Sequence, residues 1–240
     1  LQVGEAFTTY NRLVSSLAPV GRDGDGRLVW RGWLRALPVV PRWPGLAAFV
    51  VAMIGTVTYD GLSATLWWND LTFGLLGSAY SSVWFESLAL VLTVAALGGA
   101  YLLASWSAAR IAGTSSPTEV AESFAHTLVP IALAYAVAHY FTLVVLEGQL
   151  LLPALSDPLG RGWDLLGTAD WTVNYSWLPP IAVWYIQLAV IVGGHVVGVV
   201  LAHDRALAEL PPATAVRSQY AMLVLMVALT GLGLTILAAA

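Results

Sequence analysis

An all-α transmembrane bundle of about five spans, with the N-terminus cytoplasmic and the C-terminus outside, is the fold this sequence predicts. Three observations carry it. The chain is 58% hydrophobic and only 10% charged, with a mean hydropathy of +0.77, far from the balance of soluble domains. Five apolar segments are long enough to cross about 30 Å of hydrocarbon at roughly 1.5 Å per residue. Nine of the ten arginines fall in connections that share one side of the membrane, and only Arg161 falls on the other.

The elements follow in order. Residues 1–44 form a cytoplasmic or interfacial N-terminal segment, with a turn-rich GRDGDGR stretch and then a Trp/Arg/Leu pattern from Trp30 to Trp43. That pattern suits a segment lying at the interface with its arginines toward lipid phosphates. A transmembrane domain occupies residues 45–240, with spans near Gly45 to Ser63, Val83 to Ala109, Phe124 to Leu146, Pro179 to Ala202, and Tyr220 to Ala240. An external loop at residues 148–178 joins the third span to the fourth; it is long enough to fold, and a lid over an external site is one use of it. Its Trp163, Trp171, Tyr175 and Trp177 read first as an aromatic belt.

Several classes drop out. With no cysteine there are no disulfides, thiolate metal sites or iron–sulfur clusters. A net charge of −4 gives no sign of a nucleic-acid partner. The bilayer and other membrane subunits are the expected partners, and a bacterial plasma membrane the expected location. All basic residues are arginine, in keeping with GC-rich coding. A chain that begins at Leu1 without a leader is expected to be a piece of something longer.

Ionisable groups at membrane depth are costly, so each needs a reason. Toward the outer side lie Asp60, Glu86, His139 and Glu147. Helical rise puts Asp60 and His139 both roughly 20 Å from the start of their spans, where they can meet. An imidazole with carboxylates suits a copper-, iron- or zinc-type metal, or a proton relay; the structural alternative is a polar pair that pins helices together. Toward the inner side lie Glu122, His126, His203, Asp204 and Arg205. His195 sits apart in GGHVVG, where Gly194 and Gly198 let another helix approach closely. The metal candidates are therefore His139, Asp60, Glu86, His195 and His126.

Pro130 has no N–H, so the carbonyl of His126 is expected to lose its helical bond and become a ligand beside the imidazole. One haem held by His126 and His203 is allowed by depth, whereas two stacked haems are not, because the histidine pairs of the third and fourth spans are separated by roughly 20 Å and 12 Å. The spacing Glu122, His126, His139 is similar to the Asp-x3-His-x12-His copper ligands of the C subunit of membrane methane and ammonia monooxygenases, with Glu in place of Asp.

Four stretches, FAHTLVPIALAYAVAHYF at Phe124, DPLGRGWDLLGTAD at Asp157, WYIQLAVIVGGHVVGVVLAHDRAL at Trp184 and SQYAMLVLMVALTGLGLTIL at Ser218, resemble actinobacterial polytopic membrane proteins that carry the label fenitrothion hydrolase. The resemblance runs from about Pro44 onward, and family members extend further at the N-terminus. It implies metal-dependent hydrolysis of an organophosphate triester and assigns no catalytic residues. Such chemistry usually wants two metal ions about 4 Å apart among clustered histidines and carboxylates. No Gly-x-Ser-x-Gly elbow is present. Three functions stay open: a subunit with a buried His/carboxylate site for metal or proton movement, the hydrolase, and a structural partner subunit.

Overall fold

The computed structural model describes residues 5–38, 40, 42–77, 83–113 and 116–239. The ends of the expected first and last segments, residues 1–4 and Ala240, lie outside the described residues. Helix α1 (Ala6–Ser15) opens the chain, followed by a hairpin of β1 (Val20–Arg22) and β2 (Leu28–Trp30). The GRDGDGR stretch is its turn: the Asp23 carboxylate accepts the N–H groups of Asp25 and Arg27 at 3.0 and 2.8 Å. The remainder is helical: α2 (Leu46–Ser63), α3 (Leu66–Leu76), α4 (Val83–Ala112), α5 (Pro117–Phe124), α6 (Val129–Val145), α7 (Leu151–Ser156), α8 (Pro180–Glu209), α9 (Pro212–Ser218) and α10 (Tyr220–Ala239).

Five helical stretches are long and apolar enough to cross a membrane, namely Leu46–Ser63, Val83–Ala112, Pro117–Val145, Pro180–Glu209 and Ala213–Ala239. The chain is an all-α, multi-pass membrane bundle. The third stretch begins seven residues earlier than hydropathy alone suggests, and the fourth ends seven later. Hydropathy reads the hydrocarbon, whereas the backbone stays helical beyond it while its polar side chains find partners at the rim.

Helix α6 is central. Ile131, Ala132, Ala134, Tyr135 and Ala138 are buried, and it packs against α2 on one side and α8 on the other. Helix α4 lies against α2, α5 and α10 but turns Leu88, Val91, Leu92 and Leu103 outward along most of its length, as a lipid-facing helix does. Its inner face is pinned where the Tyr101 hydroxyl donates to the Ala121 carbonyl at 2.7 Å. The N-terminal segment does more than lie at a surface, because Leu13, Leu17 and Leu37 join the main core. Its exposed Trp30 and Trp33 keep the amphipathic character of an interfacial element.

Two local features depart from expectation. Residues 66–76 form α3, a short helix started by Thr65, whose hydroxyl accepts from Trp68 N–H at 3.2 Å, and stopped by Gly77 in the left-handed region. At Pro130 the third span does not free the His126 carbonyl. Residues Ala125–Leu128 tighten into a 3₁₀ turn, and Val129 N–H donates to that carbonyl instead. The expected carbonyl ligand is therefore already satisfied.

Candidate functional site

Two ends of the bundle differ in character: the arginine-rich end, where α2 begins, and the opposite end, where α2 and α10 finish. At the opposite end the last turn of α2 carries Asp60, and α6 carries His139 at matching depth. His139 Nε2 and Asp60 Oδ2 are 2.7 Å apart. The Tyr140 hydroxyl donates to the same carboxylate oxygen at 3.3 Å, and its ring stands edge-on to the imidazole at 4.7 Å between centroids. With Nε2–H donated to the carboxylate, Nδ1 is the free nitrogen; it faces Gly61, where a methyl group would lie 3.8 Å from it.

His139 and Gly61 border a cavity of about 370 Å³ between α2, α6, α8 and α10. Thr58, Tyr135, Thr142 and Gln187 give its wall polar character among aliphatic neighbours. The Gln187 amide N–H is committed to the Ala138 carbonyl at 2.8 Å. The Tyr135 hydroxyl donates to the Leu229 carbonyl at 2.7 Å.

The other outer candidates go elsewhere. Glu86 accepts from the Tyr59 hydroxyl, beside a buried Trp68 whose ring stands edge-on to Tyr59 at 5.6 Å. Tyr59 and Asp60 are adjacent, and one residue turns a helix by about 100°, so Glu86 serves a different face of α2 from His139. Glu147 accepts from the Tyr175 hydroxyl at 3.1 Å and ties the 148–178 loop down. That bond pushes the Tyr175 phenol upward from its ordinary value.

The loop is built around its aspartates. Asp157 accepts the N–H groups of Arg161 and Gly162 at 2.8 and 2.7 Å. Asp164 accepts from the Ser156 hydroxyl at 2.7 Å and from Ala169 N–H at 2.9 Å. The Arg161 N–H, foremost among several backbone donors, holds the Asp157 carboxyl below its usual range, and the Ser156 hydroxyl does the same for Asp164. A lowered folded-state value means that this order is fully present above the unfolded aspartate value, about 3.9, and is lost only as pH falls through the lowered one. Amide exchange across residues 148–178, read by mass spectrometry and corrected for intrinsic rates, should stay constant from pH 7 to about 4. Loss of protection near pH 6 would contradict this account.

His195 is buried on α8. Its Nδ1–H donates to the Ile191 carbonyl at 2.9 Å, its ring meets Tyr135 edge-on at 5.8 Å, and Nε2 is buried with no partner among the described residues. Gly194 and Gly198 let α8 approach α6 so closely that a methyl group on either would lie 3.0 Å from the carbonyls of Pro130 and Thr127 respectively. The GGHVVG close approach is thus made against α6.

At the arginine-rich end Glu122 caps the first span, its two carboxylate oxygens accepting from Gly45 N–H at 2.9 Å and Ala47 N–H at 2.8 Å. Gly45 takes φ 95°, a conformation glycine adopts without strain. Glu209, at the end of α8, accepts from Arg42, from Arg205 at 3.0 Å and from the Ser123 hydroxyl. Arg205 Nε also donates to Ser123 Oγ at 3.1 Å. Of this network the sequence points to Glu122 and Arg205 but not to Arg42, Ser123 or Glu209. The one signal available is the i, i+4 spacing of Arg205 and Glu209.

His126 Nδ1 lies 3.0 Å from the Ser123 carbonyl, whereas His203 Nδ1 lies 3.1 Å from Gln219 Oε1. A second cavity, lined by His203, Gln219 and Met226, is not bordered by His126, so the two rings do not share a space for one haem. The Glu122, His126, His139 spacing is likewise divided: a helix cap, a ring toward the arginine-rich end and a pair at the opposite end. Every histidine and carboxylate of the chain is among the described residues, and there no group of three or more could hold a metal ion. Asp60 and His139 bring two donors and Tyr140 a phenol, whereas catalytic zinc sites use three protein ligands and two-metal sites more. His126, His195 and Glu86 do not join them. Comparison with known protein families, with characterised proteins and with solved structures returned no match.

Proposed function

We propose that this chain is a multi-pass subunit of a bacterial plasma membrane that exchanges protons at the Asp60–His139 pair. The observation that carries the reading is the 2.7 Å contact between Asp60 Oδ2 and the Nε2 of His139, which borders a cavity between four helices. Ionisable pairs at membrane depth are characteristic of proton paths, and an imidazole gains and loses a proton in the physiological range. The relay is short. A proton from cavity water enters at His139 Nδ1, and the Nε2 proton passes to Asp60, whose carboxylate is steadied by the Tyr140 hydroxyl. The arginine asymmetry supports an orientation with Arg42, Arg110, Arg205 and Arg217 on the cytoplasmic side, so the cavity belongs to the outer half.

Copper, iron or zinc chemistry, and the organophosphate hydrolysis implied by the sequence resemblance, draw less support from this donor set. The pair offers two donors and a phenol where such chemistry wants more.

The test is proton flux into proteoliposomes carrying a potassium gradient and valinomycin, with a pH-sensitive dye inside. Wild-type protein should acidify the lumen well above empty vesicles, and Asp60→Asn and His139→Gln should each cut the rate at least about tenfold, a change of about 1.4 kcal/mol or more in barrier. Flux equal to empty vesicles, or unchanged in both variants, would remove the reading.

A further inference from the structure

Among the described residues, His195 is the one histidine buried on a span with a nitrogen that has no partner there. Its tautomer follows from geometry. Nδ1 must carry the hydrogen that the Ile191 carbonyl accepts at 2.9 Å, so Nε2 holds a lone pair. A buried acceptor without a donor is costly, and native interiors settle that cost with a bound water where the site is polar and has room. Two of the residues that touch this ring, Ile191 and Tyr135, also line the cavity beside His139. The cavity wall thus ends at two neighbours of His195, which lies one helical turn beyond Ile191 and is not itself among the lining residues. Below His195 the bundle closes, because Gly198 lies against the Thr127 carbonyl and Ile131, and Leu201 is in the core.

We infer that His195 is the blind inner end of the outer cavity, reached by water that donates a hydrogen bond to Nε2, and that it is a second proton acceptor beyond His139. This rests on the proton-exchange reading and extends it inward. In the step a bridging water gives its proton to Nε2, leaving an imidazolium whose Nδ1–H stays on Ile191, and the water regains a proton from the cavity side. Since Nδ1–H leads only to a helical carbonyl, the proton returns the way it came. In the conformation seen here the path is open to one side only.

The measurement is ¹⁵N NMR of histidine-labelled protein in detergent micelles, with His195 assigned by His195→Gln and water contact read from cross-peaks and exchange in ²H₂O. The expected result is a water contact at His195 Nε2 while Nδ1–H stays on the Ile191 carbonyl. A ring with no water contact at Nε2 overturns the inference, even if Asp60→Asn abolishes flux and the outer pair keeps its role. A wet His195 in a protein that moves no protons would leave the blind cavity standing and remove the proton role at both sites.

Because the chain has no cysteine, single-cysteine variants add a check that leaves His195 in place. Ile191→Cys should react with a small membrane-impermeant thiosulfonate and Leu201→Cys should not. Equal protection of both would overturn the blind-cavity inference.

Discussion

Gly194→Val is expected to cost about 3 kcal/mol and to lower the thermal midpoint of the purified protein by roughly 5–10 °C. The cause is local and backbone-bound. A methyl group there would meet Ala134 and stand 3.0 Å from the Pro130 carbonyl, which is fixed in the helix it begins. Neither α6 nor α8 can retreat without opening the tightest helix pair of the bundle, where association depends on close packing and not on a hydrophobic drive. At Gly193, its neighbour, an added methyl group would have none of the described residues within 4 Å, so Gly193→Val is the matched control and should stay within about 1 kcal/mol of wild type. Size-exclusion with fluorescence detection after a heating series reads both. Equal midpoints for the two variants would show that the close approach is not what holds α8 in place.

Glu209→Ala should be the most damaging charge removal. Glu209 accepts from Arg42, Arg205 and Ser123 together, so its loss leaves two arginines facing each other. The Arg205 side chain is 17% exposed and cannot easily turn to water, whereas Arg42 is 47% exposed. Breaking a fully buried pair costs about 3–5 kcal/mol, but partial exposure screens this one, and about 1–2 kcal/mol is expected. Arg42→Ala should cost less than about 1 kcal/mol for the same reason. A double-mutant cycle between these positions isolates the pair, and a larger loss for Arg42→Ala than for Glu209→Ala would reverse this account.

The sequence is most legible along the membrane normal. A fixed rise per residue makes depth a property of the chain alone, which is why Asp60 and His139 can be placed at one level before any packing is known. Direction around each helix axis is another matter, since it is set by which neighbours arrive. Glu86 shares the outer level yet turns to Tyr59, and His126 shares a level with His203 yet turns to Ser123. The rim is least legible. Glu122 reads as a solvated helix-end residue because its partners, Gly45 and Ala47, are 77 and 75 residues away. Helix α3 escapes a search for spans because LWWNDLTFGLL is too short to cross, and only its boundary signals, Thr65 and Gly77, mark it. At Pro130 the missing N–H is plain from the sequence, but the chain answers it with a 3₁₀ turn just before the proline, which the sequence does not announce.

The Glu122 cap also imposes an order on biogenesis. The first span leaves the ribosome with the amides of Gly45 and Ala47 uncapped, and their partner is not synthesised for another 77 residues. At about 5–20 residues per second that interval is roughly 4–15 s. Until then those two amides lack the carboxylate that holds the start of the first span in the finished bundle. The height of the first span, and with it the level at which Asp60 meets His139, is thus tied to a carboxylate at the other end of the bundle.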